Sequence, residues 1–218
     1  MNKPIIALDF PTKVAVEQFL SRFEGKSLNL KVGMQLFYKE GPSMIDMLKA
    51  AGHWVFLDLK LHDIPNTVKE AMRNLASLQV DMVNVHAAGG TAMMEAALEG
   101  LELGLTRGQK RPLCIAVTQL TSTSEQMLKR ELLIHKGMEK TVLHYATLVK
   151  QSGLDGVVCS ALEVPTLKRE LDDVVTVTPG IRLSGDDKGD QSRTVTPEKA
   201  KQLGSDYIVV GRSITASN

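Results

Sequence analysis

Two carboxylates spaced around a lysine, at the end of an apolar run, are the side chains of this protein best placed to do chemistry. The stretch reads Phe56-Leu57-Asp58-Leu59-Lys60-Leu61-His62-Asp63-Ile64-Pro65-Asn66-Thr67. On a strand, side chains alternate between faces, so Asp58 and Lys60 share one face while Leu57, Leu59 and Leu61 share the other. Asp63 falls just past the strand end and can curl back toward them. Ionised groups crowded at a core boundary suffer a desolvation that can exceed their mutual attraction, so such a cluster points to function before stability. With an effective dielectric near 20, charges about 4 Å apart interact by roughly 4 kcal/mol, enough to hold Lys60 and a second lysine, Lys31, as ammonium ions. Lys60 therefore reads as an acid and not as a Schiff-base amine.

The elements that must position these groups recur regularly. β-rich runs span Ile5 to Asp9, Leu28 to Met34, Trp54 to Lys60, Met82 to His86, Leu113 to Thr118, Gly156 to Ser160, Val174 to Pro179 and Tyr207 to Gly211. Between them, Lys13 to Phe23, Pro42 to Ala51, Thr67 to Leu78, Thr91 to Gly104, Lys136 to Ser152, Leu162 to Glu170 and Pro197 to Leu203 carry apolar residues at helical spacing. Strict alternation of strand and helix implies parallel strands with right-handed crossovers, and eight such units predict a closed (β/α)₈ barrel, a TIM barrel of class α/β. An open doubly wound sheet is the runner-up. Residues 1–218 are read as one domain, and the eighth outer helix is read as missing from this chain, because Ser217-Asn218 resembles a helix N-cap with no helix after it.

In such a barrel, ligand-handling groups collect at the carboxyl ends of the strands. Asp9, Lys31, Asp58, Lys60, His86 and Thr118 fall there in the first five units, with Arg182 and Arg212 after the seventh and eighth. A salt-bridge network that only satisfies interior charges would not coincide with so many strand ends. Loops after strands seven and eight are common phosphate grips, through amides freed by glycine and a guanidinium fork. The segments Thr178-Pro179-Gly180-Ile181-Arg182 and Val209-Val210-Gly211-Arg212-Ser213 fit that role, with Arg212 as the phosphate residue. Gln191, in a long Gly- and Asp-rich loop from Ser184 to Arg193, could add an amide donor when the loop closes. Arg182 could equally pair with a neighbouring carboxylate. His53, His62 and His86 read as histidines hydrogen-bonded to their neighbours, outside the core set.

Composition narrows the function classes. Lys and Arg total 26 against 25 acidic residues, so the net charge of +1 suggests neither a nucleic-acid nor a membrane-surface partner. The amino terminus lacks a long apolar segment and no run approaches a membrane span, which reads as a cytoplasmic protein. Cys114 and Cys159 lie inside apolar runs and read as small buried hydrophobes.

The Phe56 to Thr67 stretch resembles the signature of the orotidine 5′-phosphate decarboxylases. Ile6-Ala7-Leu8-Asp9, Leu30-Lys31-Val32-Gly33, Val117-Thr118-Gln119-Leu120-Thr121-Ser122, Thr178-Pro179-Gly180-Ile181-Arg182 and Val210-Gly211-Arg212-Ser213 resemble the bacterial members in order and spacing, so the likeness extends over nearly the whole chain. It implies a cofactor-free and metal-free loss of CO₂ from orotidine 5′-monophosphate, giving UMP in pyrimidine biosynthesis. Asp9, Lys31 and Asp58 would hold the ribose hydroxyls and Lys60 would protonate the product carbon. Thr121 and Pro179 would border the pyrimidine, with Gln191, Gly211 and Arg212 on the phosphate. The resemblance further implies a homodimer in which Asp63, Ile64 and Thr67 reach into the partner's site. Only electrostatics can stabilise charge on a ring carbon with no carbonyl placed to absorb it, which suits an ammonium fixed beside carboxylates; those carboxylates would also repel the departing one. Two other readings stay open: a magnesium-dependent sugar-phosphate lyase, which would want an acidic ligand where Lys31 stands, and a phosphate-ligand sensor without catalysis.

Overall fold

A computed structural model describes residues 4–183 and 193–216. Eight parallel strands pair in sequence order and close on themselves: β1 (Ile5–Ala7), β2 (Asn29–Gly33), β3 (Trp54–Leu61), β4 (Met82–His86), β5 (Leu113–Val117), β6 (Gly156–Val158), β7 (Val175–Thr178) and β8 (Tyr207–Val210). Closure is made by Ile5 opposite Val209 and Ile6 opposite Val210. The closed order excludes the open doubly wound sheet.

Helices α1 (Lys13–Leu20), α2 (Met34–Glu40), α3 (Pro42–Ala50), α4 (Pro65–Ala76), α5 (Thr91–Gly104), α6 (Glu125–Arg130), α7 (Met138–Gln151), α8 (Val164–Glu170), α9 (Pro197–Gln202) and α10 (Arg212–Thr215) surround the strands. Their starts follow local chemistry. The Thr12 and Thr196 side chains accept the backbone N–H groups of Ala15 and Lys199, capping α1 and α9. Proline opens α3, α4, α8 and α9, where a missing N–H costs nothing. Helices α4 and α5 approach closely because Gly100 lies against the Lys69 carbonyl, with which any Cβ would collide. After β8 the described chain makes the single turn of α10; Ser217 and Asn218 lie outside the described residues.

The core has two parts. Most of the apolar side chains, Leu30, Val55, Leu57, Val83 and Met93 among them, fill the layer between barrel and helices. The second part fills the barrel itself: Ile5, Ala7, Phe56, Met82, Ile115, Val177 and Val209. Strands buried on both faces read as near-continuous apolar runs, which is why the sequence pattern is so regular here. Trp54 stacks on Tyr207 across the amino-terminal end of the barrel, ring centres 5.9 Å apart. Cys114 and Cys159 are free and buried in these layers, and burial pushes the Cys114 thiol up to about 12. No helix among the described residues is long and apolar enough to cross a membrane.

Candidate active site

Inward-facing residues change character along the barrel axis. On β3 they run Trp54, Phe56, Asp58, and Phe56 and Asp58 stand opposite Lys31 and Gly33 of β2. The apolar plug thus gives way to charge at the carboxyl ends, where a cavity of about 630 Å³ opens.

Asp58 is the hub. Its Oδ1 accepts from Lys60 Nζ at 2.7 Å, and its Oδ2 lies 3.3 Å from Lys31 Nζ. Lys31 Nζ also stands 3.3 Å from Asp9 Oδ1, giving the order Asp9, Lys31, Asp58, Lys60. Gly33 leaves room for that ammonium, since a Cβ there would fall 3.2 Å from it. Burial alone would push Lys31 down, but the carboxylates of Asp58 and Asp9 outweigh it and hold the ammonium above the usual lysine range. Burial would likewise push Asp58 up; Lys31, Lys60 and the hydrogen bonds from Lys60 and Asn84 outweigh it and hold the carboxyl below its usual range.

The β3 backbone is not a plain strand at this point. Lys60 has φ of 53°, the left-handed region that non-glycine residues rarely enter. The pairing of β3 with β4 loses register between Leu57 and Leu61 at the same place. Asp58 and Lys60 therefore meet through a bulge, and simple alternation is not what joins them.

The cavity is lined by Asp9, Lys31, Asp58, Lys60, Thr121, Pro179, Arg182, Gly211 and Arg212, all named from the sequence. Gln119 and Ser122 line it too. Asn84 is a further polar residue without a role in the sequence reading. It is buried in β4, its Oδ1 accepting the Lys60 backbone N–H and its Nδ2 donating to Asp58.

The remaining residues named from the sequence lie outside this network, and the readings of Asp63 and Thr118 need correction. Within one chain Asp63 does not curl back to Lys60: it is exposed past the strand end, where its Oδ1 accepts the Ile64 N–H at 2.7 Å. Thr67, in the first turn of α4, is exposed and outside the cavity lining. Thr118 turns its hydroxyl to the Val158 carbonyl and is buried away from the mouth. His53 lies at the other end of the barrel, accepting the Leu28 N–H. His62 and His86 face one another with ring centres 5.6 Å apart, and burial, then the charges of His62 and Lys60, pushes the His86 imidazole down.

Gln191 and the rest of 184–192 lie outside the described residues. Their two flanks are joined: Ile181 bridges Val195, and Arg193 pairs with buried Glu163 and donates to the Leu120 carbonyl. Among the described residues no three His, Cys, Asp or Glu side chains gather to hold a metal ion. The place between Asp9 and Asp58 where a cation would be drawn is taken by the Lys31 ammonium.

Comparison with known proteins agrees with this fold. The model of the Orotidine 5′-phosphate decarboxylase / HUMPS family matches residues 2–218. Orotidine 5′-phosphate decarboxylases of Bacillus cytotoxicus and Bacillus cereus strain AH187 are each 68% identical over 212 residues, covering 97% of this chain and 89% of theirs. The crystal structure of orotidine 5′-phosphate decarboxylase from Lactobacillus acidophilus superposes with a TM-score of 0.89 at 41% identity, covering 100% of this chain and 93% of that one. The crystal structure of an uncharacterized conserved protein from Geobacillus kaustophilus superposes with a TM-score of 0.88 at 56% identity, covering 98% of this chain and 92% of that one. A match over nearly the whole length, with lysines and carboxylates interleaved at the barrel mouth, makes this chain a member of the Orotidine 5′-phosphate decarboxylase / HUMPS family.

Proposed function

We propose that this protein is a carboxy-lyase that converts orotidine 5′-monophosphate to UMP and CO₂ in pyrimidine biosynthesis, without a cofactor, with Lys60 as proton donor. The observation that carries the reading is the buried carboxylate of Asp58 held between two ammonium groups, Lys31 at 3.3 Å and Lys60 at 2.7 Å, in a cavity large enough for a nucleotide.

When the bond from C6 of the pyrimidine to the carboxylate breaks, CO₂ departs and the electron pair stays on C6. The Lys60 ammonium, fixed in direction by Asp58, stabilises that pair electrostatically and then gives it a proton. Water returns the proton to Lys60. Asp9 and Lys31 would take the ribose hydroxyls, Thr121 and Pro179 would flank the base, and Arg182, Gly211 and Arg212 would hold the phosphate, joined by Gln191. The phosphate is remote from the reacting bond, so its binding energy serves positioning and the exclusion of water.

A second carboxylate on the far side of Lys60 would come from a second copy of the chain. Asp63 and Thr67 are exposed, and Ile64 leaves 66% of its surface open beside them. Apolar and charged groups presented together in this way support a homodimer in which each barrel receives the partner's 63–67 segment. The sugar-phosphate lyase reading gains nothing from a donor set in which Lys31 occupies the cation's place.

The test is the ultraviolet absorbance of orotidine 5′-monophosphate with the protein in excess EDTA. Absorbance should fall with the wild type, whereas Lys60→Ala should turn over roughly 10⁴-fold or more slowly while binding UMP within about tenfold of normal. Turnover abolished by EDTA would restore the metal-dependent reading. No turnover by folded wild type, with or without magnesium, would leave ligand binding alone.

A further inference from the structure

A side-chain amide inside a valine-rich strand is costly unless every polar atom is matched. Asn84 sits in Met82-Val83-Asn84-Val85-His86 and is 1% exposed. Both of its ends are spent on the residues around the proposed acid. Its Oδ1 accepts the Lys60 backbone N–H at 2.8 Å, and its Nδ2 donates to Asp58 Oδ1 at 2.7 Å. The reverse amide orientation would set N–H against N–H and oxygen against carboxylate, so the network fixes the assignment.

The two contacts belong to one ring. Lys60 Nζ rests on the same Asp58 Oδ1, at 2.7 Å, that Asn84 holds. Lys60 is also the residue at φ of 53°, where β3 breaks register with β4 and its N–H needs an acceptor other than the β4 ladder. Asn84 supplies that acceptor from its side chain. Positive φ at a lysine is strained and persists only where its surroundings over-determine it. We infer that Asn84 is a positioning residue for the reaction: one amide fixes the left-handed backbone of Lys60 and the carboxylate on which its ammonium rests, and so aims the proton. This rests on Lys60 being the acid proposed above.

Two variants separate positioning from mere filling of space. Asn84→Leu keeps the branched shape and loses both hydrogen bonds. It should lower kcat for orotidine 5′-monophosphate by about 10²-fold with KM changed less than about threefold, the loss expected when a catalytic group is misaimed by about 1 Å. Asn84→Asp puts a carboxyl in a space whose titratable neighbours are Asp58 and Lys60 on β3, Lys31 beyond Asp58, and His86 two residues along β4; β5 presents Ile115 opposite. Protonated, that carboxyl reproduces both contacts, its C=O accepting from Lys60 and its O–H donating to Asp58; ionised, it repels Asp58. The ratio of Asn84→Asp to wild-type kcat should therefore rise by about tenfold or more from pH 8 to pH 5.

Asn84→Leu within about threefold of wild type in kcat would overturn the proposal, as would a pH-independent ratio for Asn84→Asp. Where the leucine variant fails to fold, the aspartate ratio decides alone. Crystal structures of the variants add a readout that does not depend on the substrate: Lys60 should leave positive φ, or its Nζ should leave Asp58, in Asn84→Leu. Unmoved Lys60 counts against the inference. Loss of that geometry in a protein whose wild type does not turn over orotidine 5′-monophosphate would sink the functional reading, and with it the aiming of a proton, while showing that Asn84 does hold Lys60 and Asp58 in place.

Discussion

Asp58 shows how a buried charge can be kept at the mouth of an apolar barrel. Its side chain is 9% exposed, so desolvation is severe, and two ammonium groups and an amide must offset it. The pH dependence follows from the directions of shift. The folded carboxyl sits below its ordinary 3.8, so its stabilisation is complete above that pH and is lost as pH falls through the folded value. Lys31 sits above its ordinary 10.5, so its share is complete below that pH and is lost as pH rises through its folded value. Asp58→Asn leaves two ammonium groups without their common partner and should lower stability by about 3 kcal/mol at neutral pH. Urea unfolding at a series of pH values checks this: the gap from wild type should narrow below about pH 4, the region the linkage sets. An asparagine variant as stable as wild type at pH 7 would contradict the account. Asp9, Lys31, Asp58 and Lys60 were legible because charged residues at inward strand positions stand out against Ile, Val and Leu. Asn84 was not, since one amide between two valines also fits a strand with a half-polar face, and the bulge that gives it meaning forms only when β3 and β4 pair. Asp63 was legible as chemistry but not as geometry, because the turn after β3 aims it away from its own barrel.

At the scale of elements, the opposite end of the barrel carries a repeated device. Asp81, Asp155 and Asp206 stand just before β4, β6 and β8, and each reaches back to the preceding odd strand. Their Oδ2 atoms accept the backbone N–H groups of Val55, Cys114 and Thr176 at 2.7, 2.7 and 2.8 Å. Each also holds a cation: Lys49 at 2.6 Å, Arg111 through both guanidinium nitrogens at 2.7 and 2.8 Å, and Lys168 at 2.6 Å. Burial would push Asp206 up, yet the hydrogen bonds from Lys168 and Thr176 outweigh it and hold that carboxyl below its usual range. These groups stitch odd to even strands far from the mouth, where residues serve stability. Asp155→Ala should cost about 2 kcal/mol, from charge-assisted hydrogen bonds that are partly screened by water. Chemical denaturation measures the loss, and kcat should stay within about twofold, since electrostatic effects at that distance are screened; a large fall in kcat with unchanged stability would refute the division of labour. Eight strands were readable because both faces of each are buried and the apolar runs are continuous. Helix α2 was not, because it starts directly at Gly33 with no side-chain cap and buries only Leu36. Helix α6 had a signal that went unread: Ser124 caps it by accepting the Met127 N–H.

The whole molecule is where the proposed dimer can be tested without a structure of it. One chain brings Asp58 to Lys60, while Asp63 points outward next to an exposed Ile64. If the 63–67 segment completes the partner's barrel, a two-fold dimer has two composite sites, each taking Lys60 from one chain and Asp63 from the other. Lys60→Ala and Asp63→Ala homodimers should then both be nearly inactive, for every site in each is broken. Mixed after mild dissociation, they form heterodimers in which one site lacks both residues and the other lacks neither. With random reassortment half of the dimers are mixed and each has one intact site, so activity should return to about a quarter of wild type. The recovery should also depend on concentration, rising with the dimer fraction measured by sedimentation. A monomeric enzyme, or one in which Asp63 serves its own barrel, regains nothing on mixing, because no chain in the mixture carries both residues. The same measurement thus reads the assembly state and the ownership of Asp63 together, and an active mixture of two inactive proteins has no other source in this constellation than a site shared across the two-fold axis.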